Sequence, residues 1–177
     1  ELVYDGAQVP YLTKYYDNTV VCYSYSKSLS LPGERIGYLV IPDELEDSQA
    51  VVQACVIALR VTGHVNAPSL MQRVIMRCLN EKTDVDSYDR NRRLLYEELS
   101  RMGFACVKPQ GAFYLFVKAP SGDDKEFSAR AKKYNILIVP GSSFACPGYV
   151  RVSYCVAYDT IKNSLPGFQK LAAEYGL

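Results

Sequence analysis

The spacing of apolar residues changes period several times along this chain. Residues 19–25 (TVVCYSY) bring β-branched and aromatic side chains together as a buried strand does, and residues 36–41 (IGYLVI) form a second short apolar run that Pro42-Asp43 ends. A Ser-, Gly- and Pro-containing loop joins them, so the first segment reads as strand, functional loop, strand. Over residues 45–60 the period lengthens: Val51, Val52, Cys55, Val56 and Leu59 recur at three- and four-residue steps, which predicts a helix. Asn66 is placed to cap the next helix, with Pro68 in its first turn and Leu70, Met71, Val74, Ile75 and Cys78 as its buried face. Asp84 is placed to cap a third, whose Tyr88, Leu95, Leu99 and Met102 share one side and which Gly103 stops.

Beyond this point strands and helices alternate. Residues 113–117 (FYLFV) predict a strand, 123–134 an amphipathic helix with Phe127, Ala131 and Tyr134 inward, 136–139 (ILIV) a strand and 149–156 another. A closing helix carries Ile161, Leu165, Phe168, Leu171 and Tyr175, with Pro166 expected to kink or divide it. The order predicts an α/β fold, with a compact α/β unit from about Glu81 onward. Residues 1–6 start in mid-pattern, which leads us to expect that a preceding element lies outside the sequence.

Composition narrows the chemistry. With 20 Lys+Arg against 19 Asp+Glu there is no global field to attract nucleic acid or an acidic membrane, and no apolar run approaches a membrane span. The six cysteines lack CxxC spacing and only His64 could join them, so no metal site is expected. Most of the cysteines sit in apolar sequence, which suits small buried thiols in a reducing compartment and leads to a cytoplasmic expectation.

The most specific stretch is residues 24–38 (SYSKSLSLPGERIGY). A lysine just beyond a buried strand is expected to lose hydration, which favours its neutral, nucleophilic amine. Ser24 lies three residues before Lys27 and Arg35 eight after it, and a turn through Pro32-Gly33 would return the guanidinium toward the same pocket. A hydroxyl and a guanidinium together suit a phosphate dianion. Taken singly, each of these residues reads as an ordinary surface residue; their joint spacing does not.

Ser24, Ser26, Lys27, Gly33, Arg35 and Gly37 together match Ser-x-Ser-Lys followed by Gly-x-Arg-x-Gly. The chain here resembles the fold-type I aminotransferases that use pyridoxal 5'-phosphate (PLP), particularly the aspartate and aromatic aminotransferase group. The resemblance implies that Lys27 is the catalytic, Schiff-base lysine and that Ser24 and Arg35 hold the cofactor phosphate. A second matching region runs through residues 139–144 (VPGSSF) and 149–154 (YVRVSY). There the resemblance makes Arg151 the binder of the substrate α-carboxylate, a role suited to its planar fork. The alternative for Arg151 is a strand arginine paired with a surface carboxylate. Gly111-Ala112-Phe113-Tyr114 also resembles a family strand, and its aromatics read as packing. Some of Tyr15, Tyr16, Tyr23, Tyr25 and Tyr38 could line a pocket near the lysine, but core or subunit-interface packing is the better account of them. His64 reads as a loop residue.

The resemblance covers almost all of this sequence but only the latter part of the family's length. It implies a C-terminal remnant of a PLP-binding large domain over residues 1–80 and a small C-terminal domain over 81–177. The acidic partner of the pyridine nitrogen and a tyrosine near the phenolic oxygen are expected upstream of Glu1. The intact protein would be a homodimer exchanging an amino group between an amino acid and a 2-oxo acid in a biosynthetic process, while the chain alone would be inactive. A β-lyase on the same scaffold and a non-enzymatic dimerisation or binding fragment remain the alternatives.

Overall fold

The computed structural model describes residues 2–177, which divide into two compact units: Gln8–Thr83, and Leu2–Ala7 with Asp84–Leu177. The first unit is built on an antiparallel pair, β1 (Val21–Ser24) and β2 (Gly37–Val40), with Ser24 opposite Gly37 and Val21 opposite Val40. A single helical turn, α1 (Tyr25–Ser28), follows β1 directly where the sequence suggested only a loop. Ser24 starts it, because its hydroxyl accepts the Ser26 N–H that the turn leaves unpaired. Two helices complete the unit, α2 (Ser48–Val61) and α3 (Ser69–Cys78).

Several expectations for this unit need correction. β1 is not buried: its residues alternate between half-buried and exposed, and β2 is exposed throughout, since within the unit each strand has one partner. The apolar stripe of α2 is real, but Val52, Val56 and Leu59 remain open. The helix after it begins at Ser69 with Pro68 as its cap residue, not Asn66. Pro68 is extended (ψ 131°), which keeps it outside the first turn, and Gln72 folds back to donate to Ala67 O at 2.7 Å. Of that helix's expected buried face Ile75 is fully buried, Met71, Val74 and Cys78 are half-buried and Leu70 is exposed.

The second unit has the well-filled core. A four-stranded antiparallel sheet in the order β3 (Cys106–Val107), β4 (Tyr114–Lys118), β6 (Tyr149–Ser153), β5 (Val139–Pro140) carries three helices: α4 (Val85–Arg101), α5 (Asp124–Ala131) and α6 (Tyr158–Glu174). The period-two alternation of the strands sends Leu115, Val117, Val150 and Val152 into the core. There they meet Leu95 and Leu99 of α4, Phe127 of α5, and Ile161, Phe168 and Leu171 of α6. Each such fully buried side chain contributes roughly 1.5–3 kcal/mol by leaving water. Asp84 caps α4 through the Ser87 N–H at 3.0 Å, and Gly103 takes φ 92° just past its end, as their positions predicted.

α6 runs undivided through Pro166. The lost N–H costs one helical bond, and Ile161 before the proline and Phe168 and Leu171 after it are anchored in the same core. The apolar run at 136–139 is mostly not strand: only Val139 and Pro140 pair, while Ile136 and Ile138 point inward and Leu137 outward.

Leu2–Ala7, which the sequence grouped with the first part, packs on the second unit. Val3 bridges to Gly111, and Tyr4 donates from its hydroxyl to Ala112 O at 2.5 Å. Asp5 meets the buried Arg92 at 3.0 Å through both oxygens. Arg92 also donates to Asp89 and to Pro109 O, so a charge that would be costly to bury alone is fully partnered. The cysteines correct a further expectation. All six are free thiols, none is fully buried, and Cys22 and Cys155 are exposed.

Candidate functional site

Three of the four residues singled out from the sequence, Ser24, Lys27 and Arg35, lie in the first unit, and backbone register gathers them at one end of the β1–β2 pair. Ser24 is the last residue of β1 and stands opposite Gly37; the pairing continues with Tyr25 N–H donating to Ile36 O at 3.1 Å. The chain thus delivers Arg35 to the level at which α1 begins. Gly37 is needed for this: a Cβ there would sit 2.3 Å from Tyr23 O and 3.2 Å from Ser24 Cα. The second glycine of the signature is therefore the price of close strand approach beside Ser24. Gly33, the first, has no atom within 4 Å of where its Cβ would be.

Lys27 occupies the third position of α1 and is exposed within this chain, so the loss of hydration expected behind a buried strand is not met here. What α1 does supply is a fixed base. Thr83 Oγ1 lies 3.0 Å from Lys27 O and 2.9 Å from Ser28 O, and 3.1 Å from Ser30 Oγ, tying the end of the turn to the far end of the unit. Sequence reasoning missed Thr83, and a threonine 56 residues away in sequence carries no local signal of such a role. The rings of Tyr23, Tyr25 and Tyr38 pack on one another at centroid distances of 4.8–5.8 Å beside this turn, favouring the packing reading for these three.

Arg35 adopts φ 51°, a left-handed backbone that an arginine takes at some cost. Its Nη1 donates to Pro32 O at 2.8 Å, which closes the Pro-Gly turn and leaves the other donors of the fork to outside partners. Ser24 Oγ donates to Ser26 Oγ at 2.9 Å. Ser28 Oγ, next to the lysine, is buried without a hydrogen-bond partner among the described residues. A primary amine, hydroxyls and an exposed guanidinium at one hairpin end form a donor set that fits an aldehyde bearing a phosphate dianion.

Arg151 belongs to the second unit. It lies on β6 opposite Phe116 and Val139, on the face of the sheet turned away from Leu115, Val117, Val150 and Val152. Among the described residues no carboxylate pairs with it. Its guanidinium carbon is instead 3.7 Å from the centroid of the Phe144 ring and 4.1 Å from that of Tyr114. The sequence had assigned Tyr114 to packing, and nothing local marks either ring as a neighbour of the arginine. An open groove of about 770 Å3 in the same unit, edged by Glu98, Arg101 and Lys162, contains neither Arg151 nor its rings. Among the described residues no group of His, Cys, Asp or Glu could hold a metal ion, and no helix is long and apolar enough to cross a membrane.

Comparison with known proteins places the chain in a family. The family model described as aminotransferase class I and II matches residues 1–165. Aromatic-amino-acid aminotransferase 2 of Thermococcus litoralis is 31% identical over 97% of this chain and 46% of its own length. An aspartate aminotransferase of Pyrococcus abyssi is 30% identical over 90% of this chain and 42% of its own. Among solved structures, an amino transferase from Eubacterium rectale superposes with a TM-score of 0.95 at 53% identity, over 99% of this chain and 44% of that one. The chain thus spans less than half the length of these relatives.

Proposed function

Because the chain belongs to the class I and II aminotransferase family, whose members depend on PLP, we propose that it carries the lysine-bearing and carboxylate-binding portion of an enzyme that moves an amino group between an amino acid and a 2-oxo acid. The observation that carries this reading is the β1–β2 register, which sets Ser24, Lys27 and Arg35 at one hairpin end through the close approach at Gly37. Ser24 and Arg35 bind the cofactor phosphate, the hydroxyl by a single hydrogen bond and the guanidinium by its fork. Lys27 would hold the cofactor through its amine, by condensation with the aldehyde and release of water. When free of that link, the same amine would take the substrate α-proton and hold it for delivery. Arg151 binds the substrate α-carboxylate through its planar fork and so fixes the orientation of that carboxylate. The cofactor, when bound, supplies the electron sink for the charge left by the proton.

On this reading Gln8–Thr83 is the C-terminal part of the cofactor-binding domain, Asp84–Leu177 is the small domain, and the intact protein is a cytoplasmic, biosynthetic homodimer. Supporting the assignment of the first unit are its open strand pair and the exposed stripe of α2, both suited to further protein packed on them. Since the chain spans less than half of its relatives, we expect it to bind PLP weakly and to show no turnover by itself.

Lys27→Ala in the full-length protein tests the central assignment. Borohydride treatment of the loaded wild type should fix the cofactor to the peptide containing Lys27, and the variant should hold cofactor without that link and lose turnover. A variant with an undiminished rate would refute the role.

A further inference from the structure

The surroundings of Arg151 carry an inference beyond the clamp itself, one that rests on Arg151 being the carboxylate binder. We infer that Phe144 and Tyr114 are positioning residues that flank the Arg151 guanidinium and determine how, and how tightly, the substrate carboxylate is held. The guanidinium carbon lies within cation–π distance of both ring centroids, at 3.7 and 4.1 Å. Wherever a ring lies against the planar group, the N–H edge is left as the direction of approach. A carboxylate lying in the guanidinium plane meets two parallel donors there, and one arriving over a face meets a ring. The rings also hold the cation by its attraction to their π faces and displace water from it, which strengthens the edge hydrogen bonds.

The rings reach Arg151 from separate elements, and both are fixed. Tyr114 is on β4 opposite Ser153, so it is the diagonal neighbour of Arg151 across the β4–β6 pair, within reach of a large side chain. Phe144 ends the short 3-10 turn Gly141–Phe144, and although its ring is partly exposed its backbone is pinned. Cys146 N–H closes the turn on Gly141 O at 2.9 Å. Asp124, a buried carboxylate in the first turn of α5, accepts the Ser142 N–H at 2.7 Å. A Cβ at Gly141 would lie 2.2 Å from Cys146 O and 2.6 Å from Tyr149 O, so the turn packs directly against the start of β6. This anchors the phenyl ring to the strand that bears the arginine.

The test uses the full-length, PLP-loaded protein. The substrate is whichever of aspartate, glutamate, phenylalanine, tyrosine and alanine the wild type converts best. Single-turnover mixing followed by cofactor absorbance separates the dissociation constant from the limiting rate. Phe144→Leu keeps an apolar cover but removes the π face, and it should raise the dissociation constant about tenfold while the limiting rate changes less than about threefold. Phe144→Tyr should restore the constant to within about twofold of wild type, because the π face returns. Tyr114→Leu gives the same reading from the other ring should Phe144→Leu fail to fold. Arg151→Lys serves as the reference, since a lysine has no planar fork, and should weaken binding more than either ring variant.

If Arg151→Lys weakens binding while both leucine variants bind as wild type does, the flanking role is wrong and the carboxylate clamp stands. If Arg151→Lys also leaves the constant unchanged, the clamp itself fails and takes this inference with it. A leucine variant that lowers only the limiting rate would likewise overturn the proposal.

Discussion

Gly37→Ala is the smallest change that should damage the candidate cofactor site without touching any group that acts there. The added methyl carbon would lie 2.3 Å from Tyr23 O, more than 1 Å short of the 3.4 Å at which ordinary contact begins, and 3.3 Å from Tyr23 C. All three near atoms are backbone, so no side chain can swing aside, and β1 and β2 must separate at the Ser24–Gly37 pair. That pair is the joint from which α1 and Lys27 start. Overpacking of this kind typically costs about 1–3 kcal/mol. A displacement of about 1 Å in a catalytic group can lower a rate by about 10²-fold. Gly33→Ala provides the matched control, since a Cβ there meets nothing within 4 Å and Gly33 is not in the left-handed region. In the full-length protein, Gly37→Ala should lower the denaturant midpoint and the single-turnover rate together, with Gly33→Ala close to wild type in both. Equal behaviour of the two alanine variants would show that the strands yield to the methyl group at no cost, and would refute the argument that this glycine holds the site in register.

Arg35→Gly should separate stability from function: relief of the left-handed backbone at φ 51° stabilises by about 0.5–1 kcal/mol, while loss of the fork weakens PLP binding, both readable by denaturation and cofactor titration. Acid should loosen the second unit through Asp5, whose carboxyl the Arg92 hydrogen bonds, aided by Lys108, hold down from 3.8 to about 2. Because the folded value lies below the unfolded one, Asp5 contributes its full stability above pH 3.8 and loses it as pH falls toward about 2. Asp5→Asn should flatten that part of an acid-unfolding curve, and an unchanged curve would exclude the pair as its source. Leu115→Ala, which empties a site 1% exposed between sheet and helices, should cost about 2–5 kcal/mol in denaturant unfolding of the full-length protein.

The second unit was more legible in the sequence than the first, for a physical reason. In Asp84–Leu177 the apolar periodicity reports burial that the unit itself completes. Leu95 and Leu99 on α4, Leu115 and Val117 on β4, and Phe168 and Leu171 on α6 all meet in one core, so pattern and structure agree. In Gln8–Thr83 the same kind of pattern in α2 and β2 describes faces the unit leaves open. Periodicity records where a side chain points but not what covers it, so element type was read correctly and burial was not. Boundaries failed where a local bond outweighed propensity. The Ser24 hydroxyl turns the end of β1 into a helical turn, and α3 starts at Ser69 without a side-chain cap, its Gln72 side chain donating back to Ala67 O.

The candidate site divides along the same line between local and distant information. Ser24, Lys27, Arg35 and Gly37 fall within fourteen residues because one hairpin end must present a hydroxyl, an amine and a guanidinium together, and the strand register converts that need into fixed spacing. Fixed spacing can be read from sequence alone. Thr83, Tyr114 and Phe144 have no such constraint. Thr83 reaches the Lys27 turn from the end of its unit, and the two rings reach Arg151 from a neighbouring strand and a 3-10 turn. Their supporting roles depend on tertiary packing, which any residue of suitable shape arriving at that place could satisfy. The groups proposed to contact ligand are therefore visible in the sequence as a motif. The groups that orient them become visible only once β4, β6 and the turn before β6 are folded against one another, which is why the tests that distinguish clamp from positioning must vary Phe144 and Tyr114 alongside Arg151.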